Sequence, residues 1–288
     1  MRDYVIFADS ACDISLDLLN EWGVKYCSLS LVFNDDPKEY LDHEIPSKDF
    51  YNRMRNGALP KTSAANMGKF VAAFEEIVKD GKDILYIAFS SGLSSTCHFA
   101  REAAKEIMNQ YEGSKITVVD SLCASAGYGL LLYLAVEKKN TGMSMDDIAE
   151  FVENKKLNVA HWFTVDDLKY LKAGGRISAT TALLGGMLNI KPVMKVDDNG
   201  KLISVSKVRG RKAALKAIAD EYAKTAIDKK NGVVFISHGD CIDDANELAG
   251  MVKENSGATV KLIANIGPVI GSHSGPGTLA LFFLVEKR

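Results

Sequence analysis

Hydroxyl side chains gather where predicted strands end. Residues 90–96 contain four serines and a threonine directly after the apolar run 84–89, and Thr62 and Ser63 stand shortly before another predicted helix. A serine-rich loop that leads into a helix offers free backbone N–H groups, the positive end of the helix dipole and rotatable O–H donors. Such a loop favours an anion, so we expect it to bind a carboxylate or a phosphate. Ser95 is also well placed to cap the helix that follows.

The segment from Gly271 to Gly275 places one imidazole, that of His273, between two glycines. Its pattern resembles the nucleophile elbow of α/β-hydrolases, but a histidine stands where that motif requires a serine. We expect a glycine-rich loop here, in which the glycines allow the backbone to pass close to a ligand and to direct the ring toward it. Two functions are compatible with these residues: a serine hydrolase that uses Ser94, His273 and an aspartate, and a binder of a small anion such as a sugar phosphate.

Several classes of function lack their sequence signature. No phosphate-binding loop of the form G-x-x-x-x-G-K-[ST] occurs, and Gly127-Tyr128-Gly129 lacks the third glycine of a dinucleotide fingerprint. The five histidines have no spacing typical of metal ligands. With 35 Lys and Arg against 37 Asp and Glu, the chain lacks the basic surplus that nucleic-acid binding needs. We therefore expect no metal, no cofactor and no nucleic-acid partner.

The composition is that of a globular protein: of 288 residues, 47% are hydrophobic and 25% are charged. Residues 262–285 carry no charge, but glycines and prolines interrupt them, so they do not predict a membrane helix. The five cysteines are scattered and odd in number, which indicates reduced thiols. Because the first predicted strand begins at Tyr4 and leaves no room for a signal peptide, we expect a cytoplasmic protein without stable membrane insertion.

Hydrophobic periodicity changes repeatedly between strand and helix spacing, which predicts an α/β protein. The first half alternates four predicted strands with helices, which is typical of a doubly wound parallel sheet. These strands span residues 4–8, 24–33, 84–89 and 116–119. The second half opens with a predicted hairpin at 191–208 whose turn contains Asn199-Gly200, which indicates an α+β arrangement. We therefore predict two domains, 1–158 and 159–288, that share a cleft.

Five motifs in this order resemble the DegV family, whose members are bacterial fatty-acid-binding proteins that act as the B subunits of fatty acid kinase. The resemblance extends over essentially the whole chain and implies a two-domain fold whose second domain completes a lipid-binding cleft. The motifs are Thr62-Ser63, the run from Ser90 to Thr96, the run from Leu171 to Ile177, Ile190-Lys191-Pro192, and Gly267-Pro268 through Gly277.

The resemblance further implies a long-chain fatty acid, such as palmitate, buried in an apolar tunnel with its carboxylate held by hydroxyl groups. Thr62, Ser94 and His273 match the family's head-group residues, and Ser95 lies beside Ser94 in the same loop. A fatty acid kinase catalytic subunit would supply ATP and convert the carboxylate to an acyl phosphate, so the carrier alone would have no catalytic activity. Arg176 matches a position associated with docking onto that subunit.

Basic residues recur in the second half of the chain, and Arg176 and Arg209 are among them. Such a bias is typical of a docking surface for a partner protein, and equally of a solvated face. Both interpretations remain open for these two residues.

The residues that line the implied tunnel cannot be separated from ordinary core by sequence. Candidates lie on the predicted helix 124–138 and in the segments 183–188 and 281–284. For each of them, core packing is the more common role. Gly185-Gly186 is costly in a helix-like stretch, which suggests a mobile cover over the cavity.

Overall fold

The computed structural model describes residues 2–177 and 189–288. Its strands are β1 (Tyr4–Asp9), β2 (Lys25–Cys27), β3 (Ser30–Phe33), β4 (Asp36–Leu41), β5 (Pro60–Ser63), β6 (Asp83–Ala88), β7 (Ile116–Asp120), β8 (Val159–Thr164), β9 (Ile190–Val196), β10 (Leu202–Arg209), β11 (Phe235–His238), β12 (Leu262–Asn265) and β13 (Leu279–Leu284). Its helices are α1 (Leu16–Glu21), α2 (Ser47–Arg55), α3 (Met67–Lys79), α4 (Thr96–Gln110), α5 (Ser125–Asn140), α6 (Met145–Lys155), α7 (Lys169–Ala173), α8 (Arg211–Thr225), α9 (Ile242–Ser256) and α10 (Pro268–Ser274). Within the described ranges, none of the helices is both long enough and apolar enough to cross a membrane.

A parallel sheet occupies the first half of the chain, in the strand order β2-β1-β6-β7. Strand β6 is buried from its second residue to its last, so its side chains are covered on both faces. Helices α3 and α4 pack together beside this sheet, and α5 and α6 form a second helical pair. The predicted doubly wound parallel sheet is confirmed.

A six-stranded sheet follows in the order β10-β9-β8-β13-β11-β12. All of its neighbours are antiparallel except β11 and β12. The predicted hairpin is present as β9 and β10, and Gly200 in its turn has a φ of +71°, a backbone conformation that glycine adopts without steric cost. The second half is therefore α+β, as its pattern indicates.

A third, three-stranded sheet has the antiparallel order β4-β3-β5. It shows that the single strand predicted at 24–33 is wrong, because β2 belongs to the parallel sheet and β3 to this one. The chain changes sheets at Leu29, whose N–H donates to Ser10 Oγ at 3.0 Å and whose carbonyl accepts from the Asp42 N–H at 3.0 Å. Thr62 consequently lies in strand β5 and not in a turn.

The uncharged C-terminal stretch also differs from its predicted form. Residues 268–274 form the short helix α10, where a glycine-rich loop was expected. Pro268 occupies the first helical position, for which its fixed φ is suited. The N–H of Gly271 donates to the carbonyl of Gly267, and the N–H of Gly275 to that of Gly271, both at 2.8 Å. His273 thus sits in the last turn of a helix.

The largest apolar cluster crosses the predicted domain boundary, since it contains Phe7 and Phe282 together. Helix α5 packs against β8, β11 and β13 of the six-stranded sheet. The division into 1–158 and 159–288 stays a prediction. The proposed cover at Gly185-Gly186 and the tunnel candidates at 183–188 lie outside the described residues.

The tip of the β9–β10 hairpin packs against the serine-rich loop that follows β6. The Ser90 hydroxyl donates to the carbonyl of Gly200 at 2.9 Å. A Cβ atom on Gly92 would lie 2.4 Å from the carbonyl oxygen of Asn199, a distance that no side chain tolerates. The absence of a side chain at position 92 therefore lets the hairpin close against this loop.

We predict that Gly92→Ala lowers the free energy of unfolding by about 1–3 kcal/mol, because the added methyl group forces the hairpin tip away from the loop. Urea unfolding followed by circular dichroism measures the change. Gly250→Ala is the matched control, because a Cβ on that helical glycine meets nothing within 4 Å. Equal stability of the Gly92→Ala variant and the wild type would refute the close contact.

Candidate functional site

A cavity of about 180 Å³ lies where the three-stranded sheet, the six-stranded sheet, α10 and the loops that follow β6 and β7 meet. At roughly 10–15 Å³ for each water-sized position, it is far larger than a single-water void. Most of its wall is apolar and most of those side chains are buried. The apolar lining consists of Leu29, Ala64, Phe89, Leu93, Ala124, Phe163, Leu171, Val196, Leu202, Ile266, Val269, Ile270, Ala280 and Phe282. Of the predicted tunnel residues, Phe282 lines the cavity, whereas Leu130 to Leu132 of α5 are buried in the core.

One end of this cavity is polar, and all four predicted head-group residues line it. Thr62 comes from β5, Ser94 and Ser95 from the loop before α4, and His273 from α10. Ser63 and Ser95 are exposed, so this polar end opens toward solvent, while the apolar wall extends inward. The structure thus brings together residues that stand up to 211 positions apart in the chain.

The imidazole of His273 is held between a hydroxyl and a glycine. Its Nε2 lies 2.7 Å from Thr62 Oγ1. Its Nδ1 is buried and has no hydrogen-bond partner among the described residues, and a Cβ on Gly174 would lie 2.1 Å from it. Buried N–H groups without a partner are rarer than unused acceptor lone pairs, which favours the tautomer with its proton on Nε2. In that tautomer His273 donates to Thr62.

Burial of the imidazole and the nearby positive charge of Arg176 lower the pKa of His273 to about 4. The ring is therefore neutral near pH 7, because both effects disfavour the imidazolium form. A neutral ring adds no positive charge to the polar end and acts there through its hydrogen bond alone.

Ser94 caps helix α4, and Ser95 does not. Ser94 Oγ accepts a hydrogen bond from the Thr96 N–H at 3.2 Å and lies 2.8 Å from Thr96 Oγ1. The side chain of Ser95 makes no capping hydrogen bond, although Ser95 occupies the N-cap position. The predicted cap at Ser95 is wrong because the loop turns one residue earlier and directs the Ser94 oxygen at the first helical N–H.

The hydroxyl groups of Thr62 and Ser94 have the same pattern of hydrogen bonds. A hydroxyl offers one donor and two acceptor lone pairs. Thr62 Oγ1 accepts from His273, and Ser94 Oγ accepts from the backbone and from the Thr96 hydroxyl when that group donates. Each hydroxyl then keeps its own O–H for a further partner. Two free O–H donors at the open end of an apolar cavity are suited to an anionic oxygen.

Arg176 also lines the polar end, and the sequence motif around it did not indicate this position. Its Nε donates to the carbonyl of Leu93 at 3.1 Å, and its Nη1 donates to the carbonyl of Gly174. The half-buried guanidinium thus joins the residue before Ser94 to the glycine beside His273. Burial lowers the pKa of Arg176. The position depends on the turn at Gly174-Gly175, so only the folded chain reveals it.

His161 and Ser125 line the cavity as well, and no motif pointed to either. The Ala124 N–H donates to His161 Nε2 at 3.3 Å, and His161 Nδ1 lies 2.9 Å from the carbonyl of Val159. Both ring nitrogens are therefore occupied, and burial lowers the pKa of His161 to about 3. Ser125 Oγ is bonded to Asp13 and to Ser237. These polar groups are satisfied within the protein.

Arg209 lies elsewhere, exposed at the end of the edge strand β10. Other basic residues of the second half form ion pairs: Lys191 lies 2.7 Å from Asp166, and Arg211 lies 2.8 Å from Asp244. Within the described ranges, no group of three or more His, Cys, Asp or Glu side chains has the geometry of a metal site.

The geometry of His273 does not match a hydrolase triad. A triad histidine bonds the nucleophile through one nitrogen and a carboxylate through the other. Here Nε2 meets Thr62 and not Ser94, and Nδ1 meets no carboxylate among the described residues. The apolar wall is likewise unlike the compact polar cavity that a sugar phosphate requires.

An α/β protein with an apolar cavity whose open end carries hydroxyl and imidazole groups is the class that this fold and site define. A family model described as "Uncharacterised protein, DegV family" matches residues 3–286. The chain belongs to the DegV family.

Relatives of known sequence and structure cover nearly the whole chain. A DegV domain-containing protein of Clostridium perfringens is 44% identical, over 100% of this chain and 99% of the relative. A DegV family protein of Thermus thermophilus, described as binding fatty acid, superposes with a TM-score of 0.88 at 30% identity, over 99% and 100% of the two chains. A stearic acid-binding protein of Eubacterium ventriosum has a TM-score of 0.89 at 25% identity, over 98% of each chain.

We predict that the low pKa of His273 reduces the free energy of unfolding as the pH falls below 7. Its pKa is about 6.5 in the unfolded chain and about 4 in the folded one, so the unfolded state binds the proton first as the pH falls. Between pH 7 and pH 5 the wild type should lose about 1–2 kcal/mol more unfolding free energy than His273→Gln. Urea unfolding at the two pH values measures this difference.

The comparison with the variant cancels the contributions of other groups, such as Asp9, whose pKa burial raises to about 6. His98→Gln is the control, because its ring is exposed on α4 and the variant should keep the wild-type pH dependence. The same pH dependence in wild type and His273→Gln would contradict a buried, neutral His273.

Proposed function

We propose that this protein binds a long-chain fatty acid, such as palmitate, with the acyl chain in the apolar part of the cavity and the carboxylate at its polar end. The observation that carries the proposal is that Thr62, Ser94 and His273 together line the open end of a cavity with an apolar wall. Fatty acid binding by the Thermus thermophilus and Eubacterium ventriosum relatives supports it.

Burial of the acyl chain would supply most of the binding free energy. Each buried CH₂ contributes about 0.8 kcal/mol, so a chain of roughly 14–16 carbons gains on the order of 10 kcal/mol before the costs of ordering and association. A small polar anion would lack this contribution. The apolar wall therefore favours a lipid over a sugar phosphate.

The carboxylate needs hydrogen bonds, because a buried charge without partners is strongly unfavourable. Thr62 and Ser94 would each donate one O–H to it, and His273 would orient the Thr62 donor by donating to its oxygen. Ser95 lies exposed at the same end and is available as a further contact. Hydroxyl donors leave the carboxylate less tightly held than a bidentate arginine would, which keeps an oxygen free for reaction.

The proposed role is that of a carrier for a kinase catalytic subunit. A carboxylate oxygen at the open polar end would attack the γ-phosphorus of ATP held by that partner, and the P–O bond to ADP would break. The products are an acyl phosphate and ADP. On this proposal the carrier has no catalytic activity by itself, and the polar end faces solvent so that the partner can reach the carboxylate.

Of the two arginines proposed for docking, Arg209 is the more accessible to a partner. Its side chain is exposed, whereas the Arg176 guanidinium is engaged by two carbonyl groups and contributes to the polar end. We propose Arg209 as a docking residue and Arg176 as a residue that shapes the mouth of the site.

Five cysteines without a disulfide support a location in the cytoplasm.

We predict that the purified protein carries a stoichiometric long-chain fatty acid, and that Thr62→Val or Ser94→Ala weakens its binding about 10- to 100-fold, the equivalent of one hydrogen bond to a charged group. Denaturing extraction with mass spectrometry measures occupancy, and fluorescent fatty acid displacement measures affinity. The loss should be small for a fatty alcohol of equal length, which has no carboxylate.

Thr117→Val on β7 and Ser206→Ala on β10 are matched controls, because neither residue lines the cavity. Extraction of no lipid together with no displacement would refute the proposed ligand. Covalent labelling of Ser94 by a fluorophosphonate would point instead to a hydrolase.

Charge reversal at Arg209 should separate docking from lipid binding. We predict that Arg209→Glu reduces kinase-dependent formation of acyl phosphate at least about tenfold, because it replaces attraction with repulsion at the contact, while fatty acid occupancy stays at the wild-type level. Phosphate transfer from radiolabelled ATP measures the reaction. Lys253→Glu, an exposed charge reversal on α9, is the control. Unchanged phosphorylation of the Arg209→Glu carrier would exclude the docking role.

A further inference from the structure

Helix α10 carries His273, but it is too short to be stable without contacts to the rest of the protein. Its seven residues rise about 10 Å, fewer than two full turns, and an isolated helix of that length is not stable in water. The position of the imidazole is therefore set by whatever holds the two ends of the helix.

Two buried carboxylates hold the N-terminal end of α10. Asp13 Oδ1 accepts from the Gly267 N–H at 2.9 Å, and Asp42 Oδ1 accepts from the Val269 N–H at 2.7 Å. Pro268 between them has no N–H to offer. The first N–H groups of a helix have no partner inside it, and a carboxyl oxygen of each aspartate supplies an acceptor there. Both carboxylates are at least nine-tenths buried, so water does not replace them.

Asp42 ties α10 to the same sheet that carries Thr62. It follows directly after β4, and β4 pairs with β3, which pairs with β5. The helix is thus attached to this three-stranded sheet at Val269 through Asp42 and, four residues later, at His273 through Thr62. The distance between the two attachments fixes where the ring meets the hydroxyl.

Asp13 adds a second attachment at the same end of the helix, where a Cβ on Gly267 would lie 3.0 Å from Asp13 Oδ1 and 3.2 Å from Asp42 Oδ1. It lies in the loop after β1, and its second oxygen accepts a hydrogen bond from Ser125, a residue of the cavity wall. Attachments at both ends of a short helix restrict its position. Asp13 and Asp42 hold the N-terminal end of α10, and Thr62 contacts His273 in its last turn.

Packing against α2 adds to these attachments. Gly271 lies so close to α2 that a Cβ would fall 2.5 Å from the hydroxyl oxygen of Tyr51 and 2.9 Å from Cε1 of Phe50. The Tyr51 hydroxyl also donates to the carbonyl of Ile266, which precedes the helix, at 2.9 Å. Helix α2 therefore supports α10, while the acceptors for the N–H groups of Gly267 and Val269 come from Asp13 and Asp42.

We propose that Asp13 and Asp42 are positioning residues for the Thr62–His273 pair: they anchor the N-terminal end of α10 and thereby fix the histidine that orients the Thr62 donor. Neither acts by touching the ligand. The consequence for ligand binding rests on the proposed function, whereas the effect on His273 itself does not depend on any ligand.

The test follows the His273 ring by long-range ¹H–¹⁵N NMR of the ligand-free protein, with the signals assigned through His273→Gln. We expect one tautomer, protonated on Nε2, in the wild type. Asp42→Ala should shift the Nε2 signal toward a mixture of tautomers, because the ring no longer stays on Thr62. Asp42→Asn retains an acceptor for the Val269 N–H and should keep the wild-type signal.

Asp42→Glu provides a variant that keeps the carboxyl acceptor if the alanine variant does not fold. It lengthens the side chain by one C–C bond, about 1.5 Å, and should displace the His273 signal as well. Asp13→Ala should act in the same direction. Asp9→Asn is the matched control: Asp9 is also a buried carboxylate, but it bonds Tyr86 and Phe89 and not α10, so its replacement should leave the His273 signal in place.

Fatty acid affinity gives the second readout. We expect Asp42→Ala to weaken binding of the acid about 10- to 100-fold, as misplacement of a functional group by about 1 Å does in enzymes, and binding of the equal-length alcohol less than twofold. A folded Asp42→Ala protein with a wild-type His273 signal would overturn the proposal, as would an Asp42→Asn signal displaced like that of the alanine variant. Failure of the wild type to bind any fatty acid would refute the proposed function and leave the NMR result standing.

Discussion

The hydrogen bond between Thr62 and His273 is the interaction on which the polar end of the cavity depends. It joins a strand of the small antiparallel sheet to the last turn of α10, across 211 residues of chain. For the bond to form, β5 must pair with β3, α10 must lie on α2, and the turn at Gly174 must leave room for the imidazole. The three-stranded sheet thus sets the position of Thr62, and the six-stranded sheet supplies part of the cavity wall.

Glycine makes these close approaches possible within the uncharged C-terminal stretch. Because Gly271 has no side chain, α2 can pack directly against α10 at this residue. Gly275, which has a φ of +82°, lies where a side chain would overlap Tyr170. A run without charges and rich in glycine therefore lets α10 enter the interior. The prolines and glycines that rule out a membrane helix are the residues that permit this packing.

Buried aspartate side chains stabilise the start of the serine-rich loop and the start of α10 by accepting hydrogen bonds. Asp9 accepts hydrogen bonds from Tyr86 and from the N–H of Phe89, and so holds the start of the serine-rich loop. Asp13 and Asp42 hold the start of α10. Each accepts from backbone N–H groups that would otherwise be unpaired in the interior. Desolvation raises the pKa of all three, to about 6 for Asp9 and to about 7 for Asp42.

The amino-acid sequence by itself determined the α/β class, the parallel sheet and the hairpin at Asn199-Gly200. Its family motifs also indicated Thr62, Ser94 and His273, which line one cavity. These features follow from hydrophobic periodicity, turn chemistry and motif order, all of which are local. Only the tertiary structure decided that the chain changes sheets at Leu29, that α10 is a helix and that Arg176 lines the cavity. Each of these depends on partners distant in sequence, and local propensity carries no information about such partners.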